Sequence, residues 1–330
     1  MRFSVRFNND LPTHHYPRLA QAAEAAGFHQ FWVSDDLFLR GVWPILTACA
    51  FATERIQVGT GLVNPYTMHP AEMAMQAAAL DELSGGRFNL GLGAGAGDFL
   101  AWVGQAQERP LTRTAETLRV LRALFAGERG PFDYEELGGW SEEAYLRFPT
   151  RRVPLYVGAM SPKMLRLTGA AADGGLPLLF PPEHFAEVIT YVRAGAAEAG
   201  RSMDEVDVAA CLWVSVAEDR AAAERVLREK IAYYGHALSD LILERLGVAR
   251  EEFAEIERAV QVEHDMERAQ ALVTEPMLRI GIVGSAGDLI ERLEGLVGMG
   301  ATHLSFGPPL GPDPMEAIAI LGREVLPHFM

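Results

Sequence analysis

A strand pattern followed by a helix pattern recurs eight times along this chain of 330 residues. The strands are short runs of β-branched and aromatic residues, and the helices carry apolar residues at helical spacing. Because short connections of this kind join parallel strands through crossover helices, the alternation restricts the chain to an α/β fold. Eight such units predict a closed (β/α)8 TIM barrel, which needs about 250 residues. A doubly wound open sheet is the competing architecture, but it usually has fewer strands in one domain.

Two segments are longer than the connections of a (β/α)8 barrel require. Residues 127–152 are rich in glycine, proline and acidic residues and predict a surface excursion. Residues 218–273 are helical and charge-rich, and they are longer than one crossover requires. The sequence has neither a linker composition nor an internal repeat, so we expect residues 1–330 to form a single domain.

The composition excludes several classes of partner. The net charge of −15 disfavours nucleic acid and anionic membranes, because both attract an excess of Lys and Arg. No apolar run approaches the roughly 20 residues of a membrane-spanning helix, and Met1–Phe7 has a strand pattern that leaves no room for a signal peptide. Cys49 and Cys211 lie in apolar surroundings and predict free thiols. We expect a cytoplasmic protein with a small-molecule substrate.

The residues that follow the third strand pattern are glycine-rich. Arg55–Val58 leads into Gly59-Thr-Gly-Leu-Val-Asn-Pro-Tyr66, where the backbone must bend and allow close approach. The carboxyl ends of barrel strands are where ligands bind, although a turn that simply needs glycine explains the pattern equally well. The strand ends show no Ser/His/Asp set and no metal-ligand cluster, so no metal is predicted. Their glycines and aromatic residues suit a large planar ligand instead.

The best candidate for a phosphate site is the segment Gly158–Lys163. Ser161 is placed as the N-cap of a helix and Pro162 as its first residue, while Lys163 opposes the helix dipole and therefore suggests a bound anion. The alternative is that the Ser-Pro pair only starts a helix and that Lys163 is solvated. Residues 91–97 resemble a dinucleotide fingerprint, but the same glycines also fit a loop that packs on its neighbour.

Three carboxylates are candidates for proton transfer. Asp35 and Asp36 follow the second strand pattern, and Asp98 follows the glycines of the fourth. Adjacent carboxylates in a pocket can share a proton or bind the edge of a ring. The alternative is that Asp35 and Asp36 only cap the next helix.

Six segments carry a resemblance to known proteins: Gly27–Asp36, Gly59–Tyr66, Leu80–Phe88, Leu90–Gly95, Val157–Leu165 and Gly307–Asp313. Together they resemble the bacterial-luciferase-like superfamily and, within it, the deazaflavin (coenzyme F420) branch, with similarity to the methylenetetrahydromethanopterin reductases. The run Leu-Asp-Glu-Leu-Ser-Gly-Gly-Arg is the most specific of these motifs for the superfamily.

The resemblance implies a barrel that binds coenzyme F420 across its carboxyl face and transfers a hydride at C5 of the deazaflavin ring. FMN is the alternative cofactor. The resemblance also implies a non-prolyl cis peptide at Gly61–Leu62 behind the ring, and a tail phosphate near Ser161. The cofactor-binding residues expected on this basis are Gly61, Leu62, Asn64, Gly95, Gly158, Ala159, Met160, Ser161 and Lys163.

One departure from the reductase pattern affects the substrate. The reductases carry a glutamate in the first strand, whereas this chain aligns Arg6 there, which is a poor general acid but a good anchor for an anion. We therefore expect Arg6 and Trp213 to contact the substrate, and proton transfer falls to Asp35, Asp36 or Asp98. Two alternatives to an F420-dependent oxidoreductase remain open: an FMN-dependent monooxygenase or flavin reductase, and a non-catalytic flavin-binding barrel.

The helix pattern near residues 70–83 favours self-association. Met68, Met73 and Met75 with several alanines predict a flat apolar face, and such a face packs well on a second copy of itself. The expected state is a homodimer or a higher homo-oligomer. The alternative is that this face only covers the barrel.

Overall fold

The computed structural model describes residues 1–235 and 238–330, and eight parallel strands close into a barrel, as predicted. The order around the barrel is β1-β2-β3-β4-β7-β8-β9-β11, and β11 pairs back onto β1. The strands, with a hairpin (β5, β6) and an added strand (β10), are β1 Arg2–Phe7, β2 Gln30–Val33, β3 Gln57–Thr60, β4 Phe88–Leu92, β5 Phe132–Tyr134, β6 Gly138–Trp140, β7 Leu155–Val157, β8 Gly174–Gly175, β9 Asp207–Val216, β10 Ile282–Gly284 and β11 His303–Leu310.

Helices surround the barrel, and the segment predicted as a helical insertion forms four of them, α8 to α11. Apolar residues of these four helices form a cluster of their own beside Trp213 of β9. No helix in the described part of the chain is both long and apolar enough to cross a membrane. The α-helices are α1 Tyr16–Ala25, α2 Val42–Ala52, α3 Pro70–Ser84, α4 Gly97–Ala101, α5 Pro110–Phe125, α6 Pro162–Ala171, α7 Phe185–Glu198, α8 Arg220–Tyr234, α9 Asp240–Leu246, α10 Arg250–Gln261, α11 Met266–Leu272, α12 Glu275–Leu278, α13 Ala286–Gly298 and α14 Pro314–Ile320.

The sequence patterns missed four short elements: β5, β6, α4 and β10. The excursion at 127–152 contains the antiparallel hairpin of β5 and β6. Helix α4 begins at Gly97, the last glycine of the expected glycine-rich loop, and β10 pairs with the carboxyl-terminal part of β9 through Ile282 and Val214. Elements of three to five residues are too short to show a periodicity, which explains why they were missed.

Large aromatic side chains fill the interior of the barrel. Trp32 of β2 and Tyr156 of β7 pack edge to face, with ring centroids 5.0 Å apart. A Cβ atom at Gly59 would lie 2.3 Å from the Trp32 ring, and one at Gly174 would lie 2.2 Å from the Tyr156 ring. The two glycines therefore make room for the two rings, and the barrel has a packed core rather than a pore.

A buried Ser, His and Asp set lies at the amino-terminal end of the barrel, although the sequence patterns indicated none. His303 Nδ1 is 3.1 Å from both carboxylate oxygens of Asp207, and its Nε2 is 2.8 Å from Ser4 Oγ. Ser4 in turn donates to Ser305 Oγ at 2.7 Å, and Arg2 pairs with Asp207 at 2.5 Å. Ser4, Ser305 and His303 are completely shielded from solvent, so no substrate can reach the hydroxyl. The set instead joins β1, β9 and β11, as expected for the stability face of a barrel.

We expect this network to make the fold sensitive to acid. Burial alone raises the pKa of Asp207, but His303 and Arg2 outweigh it and hold the pKa below its ordinary value. A carboxylate with a depressed pKa stabilises the fold above its unfolded pKa of about 4, and this contribution is lost as the pH falls further. Asp207→Asn should lower the free energy of unfolding at pH 7 by on the order of 2 kcal/mol.

Urea unfolding between pH 7 and pH 2 measures this contribution. The loss of stability on acidification should be smaller in Asp207→Asn than in the parent, because the variant has no carboxylate left to protonate at this position. Asp133→Asn is the control, since Asp133 is exposed on the hairpin. Parallel curves for the parent and Asp207→Asn would contradict the assignment.

The surface of α3 differs in detail from the expected methionine face. Met73 is completely buried against the barrel, whereas Met75 is 49% exposed. Leu83 on the same helix and Phe51 at the end of α2 are 43% and 74% exposed, and α2 packs beside α3. We call these three residues the α2–α3 patch. Self-association remains a prediction, with this patch as its surface.

Replacing Met75 and Leu83 together by Glu should give a monomer, because a buried charge opposes an apolar interface. Sedimentation equilibrium at micromolar concentration measures the mass of the parent and the variant. Met299→Glu, at an exposed position near the end of α13, is the control. A monomeric parent protein would rule out the interface.

Candidate active site

A cavity of about 290 Å³ opens at the carboxyl ends of the barrel strands. A neighbouring cavity of about 420 Å³ shares Asn8, Lys230 and Tyr234 with it. A larger cavity of about 820 Å³ lies at the amino-terminal end, around Arg2 and Asp207, where barrels do not place their chemistry. We therefore assign the active site to the first cavity, whose lining is Arg6, Phe7, Asn8, Ser34, Asp36, Gly61, Leu62, Phe99, Leu176, Leu178, Phe180, Trp213, Lys230, Tyr234, Leu238 and Pro308.

Leu62 forms part of the cavity wall and is held by glycines at the carboxyl ends of β4 and β7. The peptide bond Gly61–Leu62 is cis, as predicted. A Cβ atom at Gly158 would lie 2.0 Å from Leu62 Cδ1, and one at Gly93 would lie 3.0 Å from the same atom. At Gly91 a Cβ would lie 2.0 Å from the carbonyl oxygen of Thr60. These glycines are required by packing between the strand ends, which favours the loop-packing interpretation of residues 91–97.

Asn64 and Gly95 join the loops that follow β3 and β4. Asn64 Oδ1 accepts hydrogen bonds from the backbone N–H groups of Tyr66 at 3.1 Å and Thr67 at 3.0 Å, which closes the turn before α3. Gly95 has a φ of +72°, and a Cβ there would lie 3.4 Å from Asn64 Cγ. Both residues thus have a structural role, and their contact with a cofactor remains a prediction.

The start of α6 has the predicted cap. Ser161 Oγ accepts a hydrogen bond from the backbone N–H of Met164 at 3.3 Å, and Pro162 is the first helical residue. Ala159 is buried, whereas Met160 and Lys163 are exposed. Lys163 forms no ion pair with the described residues, so its ammonium group is available to an anion from solution.

The three candidate carboxylates lie in different environments in the structure. Asp36 lines the cavity and accepts a hydrogen bond from Ser34 Oγ at 2.9 Å, and burial raises its pKa by more than Ser34 and Lys230 lower it. Asp35 accepts from the backbone N–H of Val42 at 3.2 Å and therefore caps α2, with its pKa raised by burial. Asp98 is exposed on α4 and does not line the cavity.

Arg6 of β1 reaches the cavity with an incomplete set of partners. Its Nη2 donates to the carbonyl oxygen of Leu212 at 2.7 Å, while its Nε is shielded from solvent and has no partner. Gly307 makes room for the guanidinium, since a Cβ there would lie 2.1 Å from Nη2. Burial lowers the pKa of Arg6, and no carboxylate among the described residues forms an ion pair with it.

Lys230 and Tyr234 also line the cavity, and the sequence patterns did not indicate either of them. Lys230 Nζ lies 5.0 Å from the ring centroid of Trp213 and 4.4 Å from that of Tyr234. Burial lowers the pKa of Lys230 to about 8, against the opposing effect of Asp10. One signal in the sequence marks this residue: the chain has 29 Lys and Arg residues, of which only Lys163 and Lys230 are lysines.

Comparison with known proteins gives full-length matches. A family model of luciferase-like monooxygenases matches residues 3–303. The chain is 34% identical over 329 residues to the 5,10-methylenetetrahydromethanopterin reductase of Methanolobus tindarius, covering 99% of this chain and 100% of that enzyme. It is 33% identical over 323 residues to the F420-dependent glucose-6-phosphate dehydrogenase of Beutenbergia cavernae, covering 93% and 90%. The solved coenzyme F420-dependent tetrahydromethanopterin reductase from Methanopyrus kandleri superposes with a TM-score of 0.92 at 30% identity, covering 100% of this chain and 99% of that one.

The contact between Leu62 and Gly158 predicts the outcome of a single substitution. Gly158→Ala should destabilise the protein by about 1–3 kcal/mol, because the added methyl group overlaps Leu62 Cδ1. Adding Leu62→Ala to Gly158→Ala should cost less than the two single variants together, because the overlap is then relieved.

Urea unfolding of the parent, both single variants and the double variant measures this coupling. Gly295→Ala is the matched control, since a Cβ at Gly295 in α13 meets no atom within 4 Å. Additive effects of the two substitutions would show that Leu62 is not held by Gly158.

Proposed function

The chain belongs to the luciferase-like monooxygenase family, and we propose that it is an oxidoreductase that exchanges a hydride between coenzyme F420 and a small organic substrate. The family predicted from the sequence motifs is thereby confirmed. The observation that carries the choice of cofactor is the end-to-end similarity to F420-dependent relatives, including one with a TM-score of 0.92. FMN is the cofactor of the alternative function.

The residues at the carboxyl face fit a bound deazaflavin. Leu62 gives the cavity an apolar wall, and the segment Gly158–Lys163 offers backbone N–H groups and an exposed ammonium group to a tail phosphate. Ala159 and Ser161 lie in this segment, beside the Leu62 contact at Gly158. When bound, the deazaflavin supplies a carbon, C5, that accepts or gives up a hydride.

The protein's own residues exclude water and move a proton. The apolar residues Leu176, Leu178 and Phe180 line the cavity and keep its interior dry. Asp36 is the carboxylate placed to hold or donate a proton at Oδ1 or Oδ2, because it lines the cavity and its pKa is raised. Asp35 is engaged in capping α2, and Asp98 lies outside the cavity.

The substrate of a relative does not transfer to this chain. Two relatives at 34% and 33% identity are named for different substrates, a pterin derivative and a sugar phosphate. At this level of identity, the residues of the cavity have to identify the substrate. Arg6 and Trp213 are the residues expected to contact it, and both line the cavity.

Titration of the purified protein with F420 and with FMN tests the proposed function. We expect F420 to bind at micromolar concentration and FMN not to bind, as followed by ultrafiltration and by the absorbance of each cofactor. Retention of FMN alone would make the protein a flavin enzyme of the same family. Binding of neither cofactor would contradict the proposal.

Lys163→Ala should weaken F420 binding by about 10- to 100-fold, because a charge-assisted hydrogen bond contributes about 1.5–3 kcal/mol. The protein carries a net charge of −15, so a polyanionic tail depends on local donors of this kind. Titrations at low and high salt should show a smaller salt dependence for the variant. Arg18→Ala, at an exposed position on α1, is the control. Unchanged affinity and salt dependence would show that Lys163 is only a solvated surface residue.

A further inference from the structure

We propose that the substrate carries a carboxylate and that Arg6 and Lys230 bind this group inside the cavity. The inference rests on the proposed function, since it takes the first cavity to be the place where the substrate meets the cofactor. The charges and contacts of the cavity point to this substrate class and to Lys230 as a second cationic residue.

Arg6 is the first reason. A guanidinium in a shielded position is costly unless an anion compensates it, yet Arg6 has one backbone carbonyl as its hydrogen-bond acceptor. Its Nε is shielded and without a partner. The planar fork of a guanidinium matches two oxygens of a carboxylate, and a single carbonyl leaves most of that fork unused.

Lys230 is the second reason. Its ammonium group lies over the rings of Trp213 and Tyr234, and it lines the same cavity as Arg6. Asp36 is the one carboxylate that lines this cavity among the described residues, and Asp10, which lines the neighbouring cavity, also acts on Lys230. Arg6 forms no ion pair with a carboxylate of the described residues, so its positive charge matches one substrate carboxylate in a protein whose net charge is −15.

The other walls set the shape of the substrate. Leu176, Leu178, Phe180 and Trp213 also line the cavity, and they suit a hydrocarbon or aromatic body. The volume of about 290 Å³ restricts that body to a small one. A phosphate dianion carries more negative charge than Arg6, the cation without a carboxylate partner, would neutralise.

The lysine itself is unusual for this chain. All but two of its 29 Lys and Arg residues are arginines, so Lys230 departs from a strong general preference. An ammonium group differs from a guanidinium because it is compact and loses its proton readily when it is buried. Both properties suit a second, adjustable cation beside the fixed charge of Arg6.

Calorimetric titration of the cofactor-free protein with benzoate and with benzamide tests the proposal. The two probes have nearly the same shape and differ in charge, so the parent should bind benzoate at least about 10-fold more tightly, as expected for one charge-assisted interaction. Arg6→Met should weaken benzoate binding by about 10- to 100-fold, and Lys230→Met by about 10-fold. Neither should change benzamide binding.

Binding of F420 separates this inference from the proposed function. Lys163→Met should weaken F420 binding and leave benzoate binding unchanged, whereas the Arg6 and Lys230 variants should do the reverse. If the parent binds benzoate selectively but not F420, the carboxylate site stands and the proposed function fails. If Arg6→Met weakens F420 binding and not benzoate binding, the guanidinium belongs to the cofactor site and the inference is overturned.

The pH dependence of benzoate binding distinguishes a direct contact from a structural role. Burial lowers the pKa of Lys230 to about 8, while Asp10 and Asp36 act to raise this pKa and Arg6 acts to lower it further. Tyr234, beside it on α8, stays protonated because burial raises its pKa to about 12. Benzoate affinity should fall as the pH rises above about 8, and Lys230→Met should remove this fall.

The folding of each variant is checked separately. Circular dichroism and thermal unfolding show whether each variant is folded, and Arg6→Lys replaces Arg6→Met if the latter is not. Arg6→Lys keeps the charge without the fork, so an intermediate affinity for benzoate supports the proposal. Equal affinities of the parent for benzoate and benzamide, or a flat pH profile, overturn it.

Discussion

Close packing of two aromatic rings against glycines of the adjacent strands determines the interior of this barrel. The rings of Trp32 and Tyr156 occupy its interior, and Gly59 and Gly174 leave the space that the rings need. With the interior filled, a ligand cannot bind within the barrel, and binding is restricted to its ends. At the amino-terminal end, Asp207, His303 and Ser4 are engaged with one another and join the strands. At the carboxyl end, Arg6 lacks a carboxylate partner, which leaves its charge to a ligand.

Local signals in the sequence predicted much of this arrangement. The eight strands follow from their periodicity and the Ser161 cap from the Ser-Pro pair, whereas the cis peptide at Gly61–Leu62 was implied by the resemblance to the superfamily. What could not be predicted depends on packing between distant segments. The sequence places Asp35 and Asp36 side by side, but only the fold shows that Asp35 binds the start of α2 while Asp36 faces the cavity.

Lys230 is a second residue whose position in the cavity could not be predicted from the sequence. A helix pattern over residues 220–234 indicates which residues are apolar, but not which polar residue faces a cavity formed by β1, β9 and the loop after β2. That orientation results from the packing of α8 on β9 and β10. The composition, unlike the periodicity, does mark Lys230, because lysine occurs only twice in the 330 residues.

The two sides of the cavity come from different parts of the chain. Arg6 and Leu62 belong to the barrel's own strands and strand ends, whereas Lys230, Tyr234 and Leu238 belong to the helical insertion that follows β9. The apolar cluster of the insertion is separate from the main core of the barrel and includes Trp213 and Phe180 at their boundary. Substitutions in these helices can therefore reshape one wall of the cavity, while the strand that carries Arg6 keeps its place in the barrel.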